Sequence, residues 1–326
     1  MKLAVIGTGW IVQSFIDGLE FAPELELYAV YSRTKEKGRE FARRNGIDRV
    51  FTSLEELAAS PVECVYIASP NALHYEQSKK MLEAKKHVIC EKPITVTPQE
   101  LCELYRIADE NSVIYIEAIM YMHCPARQVL REAIKEIGKI RAVHFDFSQY
   151  SSKYPAYKNG ELPNIFNPKM ATGSLMDLGI YCVYPTVDLF GEPQETAAMA
   201  SFLESGADAA TSAVLRCGDT IVTLTSCKTG QDHSGSQIIG ELGSIKIGSV
   251  SKLTDMELVL NSGESRLLCG DTEKKMLMGN EAVTFSRLIK SPEENREQYE
   301  ELRAAALAVS RTMQNIRTAA GINFER

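Results

Sequence analysis

Leu3-Ala-Val-Ile-Gly-Thr-Gly-Trp10 is the stretch that decides the fold. Leu3–Ile6 reads as a short buried strand, and Gly7-Thr8-Gly9 follows at once. The spacing beyond predicts a helix from Trp10 to Phe21, and Leu25–Tyr31 predicts a second strand. Strand, glycine turn, helix, strand is the context that gives a glycine pattern meaning. Gly7 permits the tight turn, and Gly9 lets backbone N–H groups approach a pyrophosphate. The helix N-terminus, with Thr8, Trp10 and Ile11 around it, adds partial positive charge for that anion. Val12 stands at the third small position, which predicts a slightly wider spacing of helix and strand. The plainer alternative is a βαβ turn that binds nothing.

Working outward, apolar strands alternate with helical patterns up to about residue 120. Cys64–Ala68, His87–Cys90 and Val113–Ile116 read as strands, and Leu73–Ala84 and Pro98–Asn111 as helices. Ser53-Leu-Glu-Glu56 fits a capping box for a short helix ending near Ser60. Strands flanked by helices imply a parallel, doubly wound sheet. From Val143 the period becomes two: Val143, Phe145 and Phe147 alternate with His144, Asp146 and Ser148. Ala198–Leu203, Ala209–Cys217, Ile221–Cys227, Ser236–Ile239, Ser244–Ile247 and Glu257–Leu260 continue as closely spaced strands, a mainly antiparallel sheet. Helices are expected over 276–289 and 293–320, with Ser291-Pro292 at the start of the second and Gly321 at its stop. The fold class is therefore α/β. An N-terminal Rossmann domain with a doubly wound parallel sheet spans 1–120. A C-terminal α+β domain with a large open sheet spans 121–326, and its last helix is expected to pack back on the first domain.

The chain has 326 residues, 44% hydrophobic and 24% charged, with a net charge of −7. That balance argues against nucleic acid and anionic membranes as partners. No apolar run approaches the ~18 residues of a membrane span, and a first strand beginning at Leu3 leaves no room for a signal peptide. The eight cysteines are scattered without a CxxC pair, as expected of free thiols in a reducing cytoplasm. The five histidines lack metal-binding spacing, so no metal is expected.

Three further segments carry chemistry. Ser32-Arg33-Thr34-Lys35, with Lys37, ends the second strand where the adenosine ribose should lie. A carboxylate there would favour NAD, whereas Arg33 suits a 2′-phosphate, so NADP is preferred over NAD. A solvated basic turn is the alternative. His87-Val-Ile-Cys-Glu91-Lys92-Pro93 ends a strand in two charges at the carboxyl edge, which opens onto the ligand crevice. Lys92 there would donate to a substrate oxygen, with Pro93 holding its backbone extended. Gly173-Ser-Leu-Met-Asp177-Leu-Gly-Ile-Tyr181 enters a helix. Asp177 and Tyr181, four apart, share one face, and Gly179 leaves room for an approaching group. A phenol near a lysine and an oxidised nicotinamide would have a lowered pKa and could exchange a proton. Alone, this segment reads equally as a buried tyrosine and a loop-capping aspartate.

Together these segments resemble the Gfo/Idh/MocA oxidoreductase family along nearly the whole chain. The resemblance rests on residues 4–10, Ser69-Pro-Asn-Ala-Leu-His74, His87–Pro93, Glu117-Ala-Ile-Met-Tyr121 and Asp177-Leu-Gly-Ile-Tyr181. It implies that Gly7 and Gly9 hold the pyrophosphate. Ser69, Pro70, Asn71 and His74 would lie along the nicotinamide half of the cofactor, and Glu91 would meet the nicotinamide ribose or carboxamide. It further implies that Lys92 polarises the reacting oxygen, Asp177 positions substrate and residue 181 is the acid/base. His74 has an equal alternative as a helix-start residue packed against its loop. Tyr rather than His at 181 moves the resemblance toward the trans-1,2-dihydrodiol dehydrogenase and glucose–fructose oxidoreductase branch.

The implied activity is hydride transfer between NAD(P) and a carbinol or carbonyl carbon of a sugar, inositol or diol. A nucleotide-binding sensor without turnover and a redox glycosidase are the alternatives. Retention of both Lys92 and Tyr181 argues against the sensor. The loop 151–172, with Tyr154, Tyr157, Lys158, Asn159, Asn164 and Asn167, suits sugar hydroxyls or an oligomer contact. The apolar face of the second sheet needs cover, which predicts a homodimer or homotetramer.

Overall fold

A six-stranded parallel sheet organises the first part of the chain in the computed structural model, which describes residues 1–324. Its strands are β1 (Lys2–Ile6), β2 (Glu26–Tyr31), β3 (Arg49–Phe51), β4 (Cys64–Ile67), β5 (His87–Glu91) and β6 (Tyr115–Ala118). Their order is β3-β2-β1-β4-β5-β6, the doubly wound order of dinucleotide-binding domains. Register pairs Ile6 with both Tyr31 and Ile67, and Ile67 with Cys90. The residues that follow β1, β2, β4 and β5 therefore leave the sheet along one carboxyl edge.

Local chemistry explains these elements. Cys64–Ile67 is buried on both faces, as a central parallel strand requires. The helix Pro98–Asn111 opens with a reciprocal capping box between Thr97 and Glu100 and has proline in its first turn. Ser53 Oγ accepts from the N–H groups of Glu55 and Glu56 at the start of the helix Leu54–Ala58. The first helix stops at Gly18, and Leu19–Phe21 tightens into a 3₁₀ turn.

The chain forms two compact units. Met1–Met120 with Glu273–Leu307 makes the first, and Tyr121–Thr272 with the chain from Ala308 onward makes the second. In the first, the helix Lys274–Lys290 crosses the helix Trp10–Gly18 glycine on glycine. A Cβ on Gly18 would lie 2.7 Å from Gly279 N, and one on Gly279 would lie 2.4 Å from Phe21. The helix Arg296–Ala320 begins at Arg296, four residues beyond Pro292, so proline precedes that helix without opening it. In the first unit its Tyr299 hydroxyl accepts from Tyr115 N–H at 3.1 Å, and Arg303 pairs with Asp109 through both carboxylate oxygens.

The second unit holds an eight-stranded sheet of β7 (Ile140–Ser148), β8 (Glu195–Phe202), β9 (Asp208–Cys217), β10 (Thr220–Cys227), β11 (Ser236–Gly240), β12 (Gly243–Ser249), β13 (Thr254–Leu260) and β14 (Ser265–Cys269). Its order is β14-β13-β12-β11-β7-β10-β9-β8, antiparallel except for β7 beside β10. β14 is an edge strand with weak alternation and most of its residues exposed, which is why the sequence pattern does not reveal it. The apolar face predicted to need a partner, including Phe145, Leu215, Leu224, Ile238 and Leu258, is buried within the chain. The opposite face is mixed: Ser212, Thr223 and His144 stand among exposed Met199, Val214 and Ile239. All eight cysteines are free, and no described helix is long and apolar enough to cross a membrane.

The glycine crossing yields a direct expectation. Gly279→Val should force the two helix backbones apart and lower unfolding stability by about 1–3 kcal/mol. Urea denaturation measures this, and an unchanged midpoint would refute the crossing as a packing constraint.

Candidate active site

In the first unit the glycine turn sits at the carboxyl end of β1. Gly7 has φ +118°, and a Cβ there would lie 2.7 Å from the Ala68 carbonyl oxygen, so only glycine fits. Val12 is fully buried and packs over Gly7. A Cβ on Gly9 would meet no atom within 4 Å, so the backbone here is open to close approach. Gly9 caps the helix Trp10–Gly18 without a side-chain hydrogen bond, and the first turn carries no acidic residue. Thr8 and Ile11 are half-buried and Trp10 is 69% exposed, with Lys274 Nζ 3.7 Å from its ring centre. A bare, anion-ready helix end beside an open glycine fits a dinucleotide pyrophosphate.

At the end of β2, Ser32 is buried, with its N–H donating to Phe51 O, and Gly38 packs against it. Arg33 and Lys37 are exposed around the start of the helix Lys35–Asn45, whose Thr34 cap makes no side-chain hydrogen bond.

After β4, Ser69 donates to Gln77 at 2.7 Å, and Pro70 and Asn71 form the half-buried turn that follows. His74 opens the helix that follows this turn. Its ring is fully buried, with Nδ1 2.9 Å from Pro93 O and Nε2 2.8 Å from Ser69 O. Burial lowers its pKa, although both carbonyl contacts raise it. Both ring nitrogens face the chain's own carbonyls, the arrangement that the packing alternative expects.

After β5, Glu91 is buried and accepts from the Tyr66 hydroxyl at 2.6 Å. Burial raises its pKa, with Lys92 and Tyr66 opposing. Lys92 is half-buried, and the Lys92–Pro93 peptide is cis. Buried Glu117 accepts from Ile94 N–H at 2.8 Å, so His74 and Glu117 brace the two residues after Lys92. Glu117 stands in a recognised motif, but its bracing role has no spacing signal.

The second unit carries the other expected group. Asp177 lies in a π-helical turn, Leu175–Gly179, and Tyr181 in the α-helix Ile180–Phe190 that continues from it. The two therefore do not lie one α-turn apart on a single regular helix, as their spacing suggests. Gly179 does not leave room for a ligand. A Cβ there would lie 3.2 Å from Ser226 Oγ and 2.8 Å from Leu175, so its bareness serves helix-on-strand contact with β10. Asp177 pairs with Lys228, itself 4% exposed at the end of β10. Tyr181 is half-buried, its ring edge-on to Phe147 at 5.3 Å.

Sequence reasoning missed Lys228 and Asp208. Asp208 Oδ2 accepts from Ser174 Oγ at 2.7 Å, Leu175 N–H at 2.8 Å and Thr211 Oγ1 at 2.9 Å. Burial raises its carboxyl pKa, with these donors opposing. A Cβ on Gly173 would fall 1.8 Å from Asp208 Oδ1, so glycine there admits the carboxylate. In the loop 151–172, Tyr154 and Tyr157 pack on Phe166, and Tyr157 accepts from Ser205 N–H. Asn167 caps the turn that follows it. These groups build the loop itself.

Comparison with known proteins places these features in context. Residues 1–119 match the model of the oxidoreductase family with an NAD-binding Rossmann fold, and residues 126–246 match the GFO/IDH/MocA C-terminal domain. The chain is 34% identical to scyllo-inositol 2-dehydrogenase (NADP(+)) IolU of Bacillus subtilis over 99% of its length and 98% of that protein. It is 29% identical to mouse trans-1,2-dihydrobenzene-1,2-diol dehydrogenase, over 80% of this chain and 78% of that protein. The crystal structure of KijD10, a 3-ketoreductase from Actinomadura kijaniata with NADP and TDP-benzene, shares the fold. It superposes with a TM-score of 0.84 at 20% identity, covering 98% of each chain.

Asp208→Ala should leave three buried donors unpaired and destabilise the protein by about 3 kcal/mol. Denaturant unfolding reports the loss, and wild-type stability would show that Asp208 does not hold the π turn.

Proposed function

The chain belongs to the Gfo/Idh/MocA oxidoreductases, and from that premise we propose that it reversibly oxidises a secondary hydroxyl of a polyhydroxylated substrate, an inositol, sugar or diol, with NADP preferred over NAD. The observation that carries this reading is the carboxyl edge of the parallel sheet. There the glycine turn, the basic end of β2, the Ser69–Asn71 turn and the braced Lys92 all leave the sheet on one side.

The dinucleotide, when bound, supplies or accepts the hydride. Gly7, Thr8, Gly9, Trp10 and Ile11 would hold its pyrophosphate, and Ser69, Pro70, Asn71 and Glu91 its nicotinamide half. Lys92 would donate to the substrate oxygen and offset charge that develops on it. Tyr181 would give or take the hydroxyl proton. Asp177, paired with Lys228, would orient neighbouring hydroxyls, since a carboxylate and an ammonium side by side match a donor–acceptor alcohol. His74 and Glu117 serve as positioning residues for Lys92. The exposed mixed face of the second sheet, with Met199, Val214 and Ile239, is the surface we assign to a homodimer or homotetramer. Eight free thiols accord with a reducing compartment such as the cytoplasm.

Lys92→Met should reduce kcat by two or more orders of magnitude, with NADPH affinity nearly unchanged. Tyr181→Phe should lose the pH dependence of the proton-transfer step. Assays with inositols, free sugars, diols and glycosides, following absorbance and product together, test both, and full activity in Lys92→Met would sink the assignment. Product released from a glycoside without net cofactor change would favour redox glycosidase chemistry instead.

Arg33→Ala should weaken NADP binding by roughly tenfold or more while leaving NAD binding little changed, because only the 2′-phosphate loses a charge-assisted partner. Titration with each nucleotide decides it, and equal losses for both would refute the role of Arg33.

A further inference from the structure

The helix Lys274–Lys290 carries a glutamate where packing alone would place an apolar side chain. The Gly18–Gly279 crossing presses this helix onto the helix Trp10–Gly18, and Glu281, two residues on, is 1% exposed. Its Oε2 finds no hydrogen-bond partner among the described residues. The groups that bear on it are Glu91 at the end of β5, Tyr66 on β4 and Lys274 in the first turn of its own helix. Tyr66 is stacked flat on Phe15, with ring centres 3.8 Å apart, and its hydroxyl already donates to Glu91. Lys274 lies over the Trp10 ring at the glycine turn. Two carboxyl groups thus share a dry cluster at the carboxyl edge of the sheet, with one phenol donor committed to Glu91.

We propose that Glu281 is a positioning residue that remains a carboxylic acid at neutral pH, so that the Glu91–Glu281 pair carries one negative charge and Glu91 stays fixed beside Lys92. Ionising both would place two anions in a site that water does not reach, an arrangement far costlier than one. The proton resides on Glu281 because Glu91 has the Tyr66 donor and the neighbouring Lys92 to stabilise its anion. Burial, reinforced by Glu91 and opposed by Lys274, pushes the Glu281 carboxyl well above the ordinary carboxylate value.

Below the ordinary carboxylate range both folded and unfolded chains hold the proton, and burial of Glu281 carries no charge penalty. As pH rises, the unfolded chain ionises first, so folding becomes less favourable until the raised folded value is passed. Glutamine mimics the protonated acid and removes this dependence. Where Glu91 faces the nicotinamide half, as the functional reading above has it, the same ionisation weakens dinucleotide binding by at most about tenfold per pH unit.

The test compares the full-length wild type with Glu281→Gln. Thermal unfolding without nucleotide is followed from pH 6 to pH 9.5. The wild type should lose several degrees relative to Glu281→Gln as pH rises, with the difference smallest at pH 6. A pH-independent difference overturns the proposal. Carbon-13 carboxyl titration of the wild type by NMR needs no variant. It should show one glutamate still protonated at pH 7, and the absence of such a group overturns the proposal even if Glu281→Gln does not fold. NADPH titrations read from the fluorescence of Trp10, the one tryptophan, form a separate arm. An alkaline loss of affinity in the wild type that Glu281→Gln abolishes supports the whole reading. A pH-dependent melt without that loss upholds the proton on Glu281 and overturns the placement of Glu91 at the nicotinamide.

Discussion

The imidazole of His74 ties together two loops that the sheet delivers separately. One nitrogen meets the carbonyl after β4 and the other the carbonyl of Pro93 just beyond β5. The ring is sealed from solvent, so neither contact competes with water, and burial keeps it neutral. A neutral ring donates to one of these carbonyls, and the imidazolium, which both carbonyls favour, would donate to both. Glu117 adds a second clamp on Ile94. Lys92, a long and flexible side chain, thereby stands on a backbone with little freedom. The polarising role proposed for its ammonium needs that precondition, because its value at an oxygen falls steeply with misplacement.

The second unit solves the same problem with a carboxylate. Asp208 gathers three donors at the entry to the Leu175–Gly179 turn, and glycine at 173 is what allows it in. The turn it supports is π-helical, a geometry that adds a residue to a helical turn and re-aims the side chains that follow. Gly179 then brings the helix onto Ser226 of β10. Asp177 and Tyr181 owe their positions to this entry, and Asp177 gains a buried lysine from the end of the same strand.

Much of this was legible in the sequence wherever a period or a turn residue reported directly on backbone geometry. Leu3–Gly9 announced β1 and its turn, Pro98–Asn111 its helix, and the alternation from Val143 the second sheet. The residues that leave the sheet at its carboxyl edge followed, since their positions depend only on strand ends. The sequence does not decide the role of His74, because its partners are backbone carbonyls, which no side-chain pattern encodes. Lys228 and Asp208 escape a sequence reading because the turn residues they meet, Asp177 and Leu175, lie more than thirty positions away. Gly179 is ambiguous for a related reason. A bare position in a helix has the same sequence signature whether a ligand or a strand approaches it, and only the neighbouring Ser226 distinguishes the two.

Burial of acidic groups serves opposite ends in the two units. Asp208 receives three donors at Oδ2, which oppose the upward push of burial on its carboxyl pKa and organise backbone around it. Glu281 has no such set, while the donor nearest the cluster, the Tyr66 hydroxyl, is spent on Glu91. The donors around the first favour its anion; the second does its work by keeping a proton. The difference lies in the count of donors within reach rather than in depth, since both side chains are almost wholly inaccessible. A fold that needs one anion at the end of β5, and only one, is served by an acid that will not ionise beside it. A lysine in that place would pair with Glu91 and compete with Lys92 for it, and an apolar residue would leave Glu91 with less polar support in a dry site.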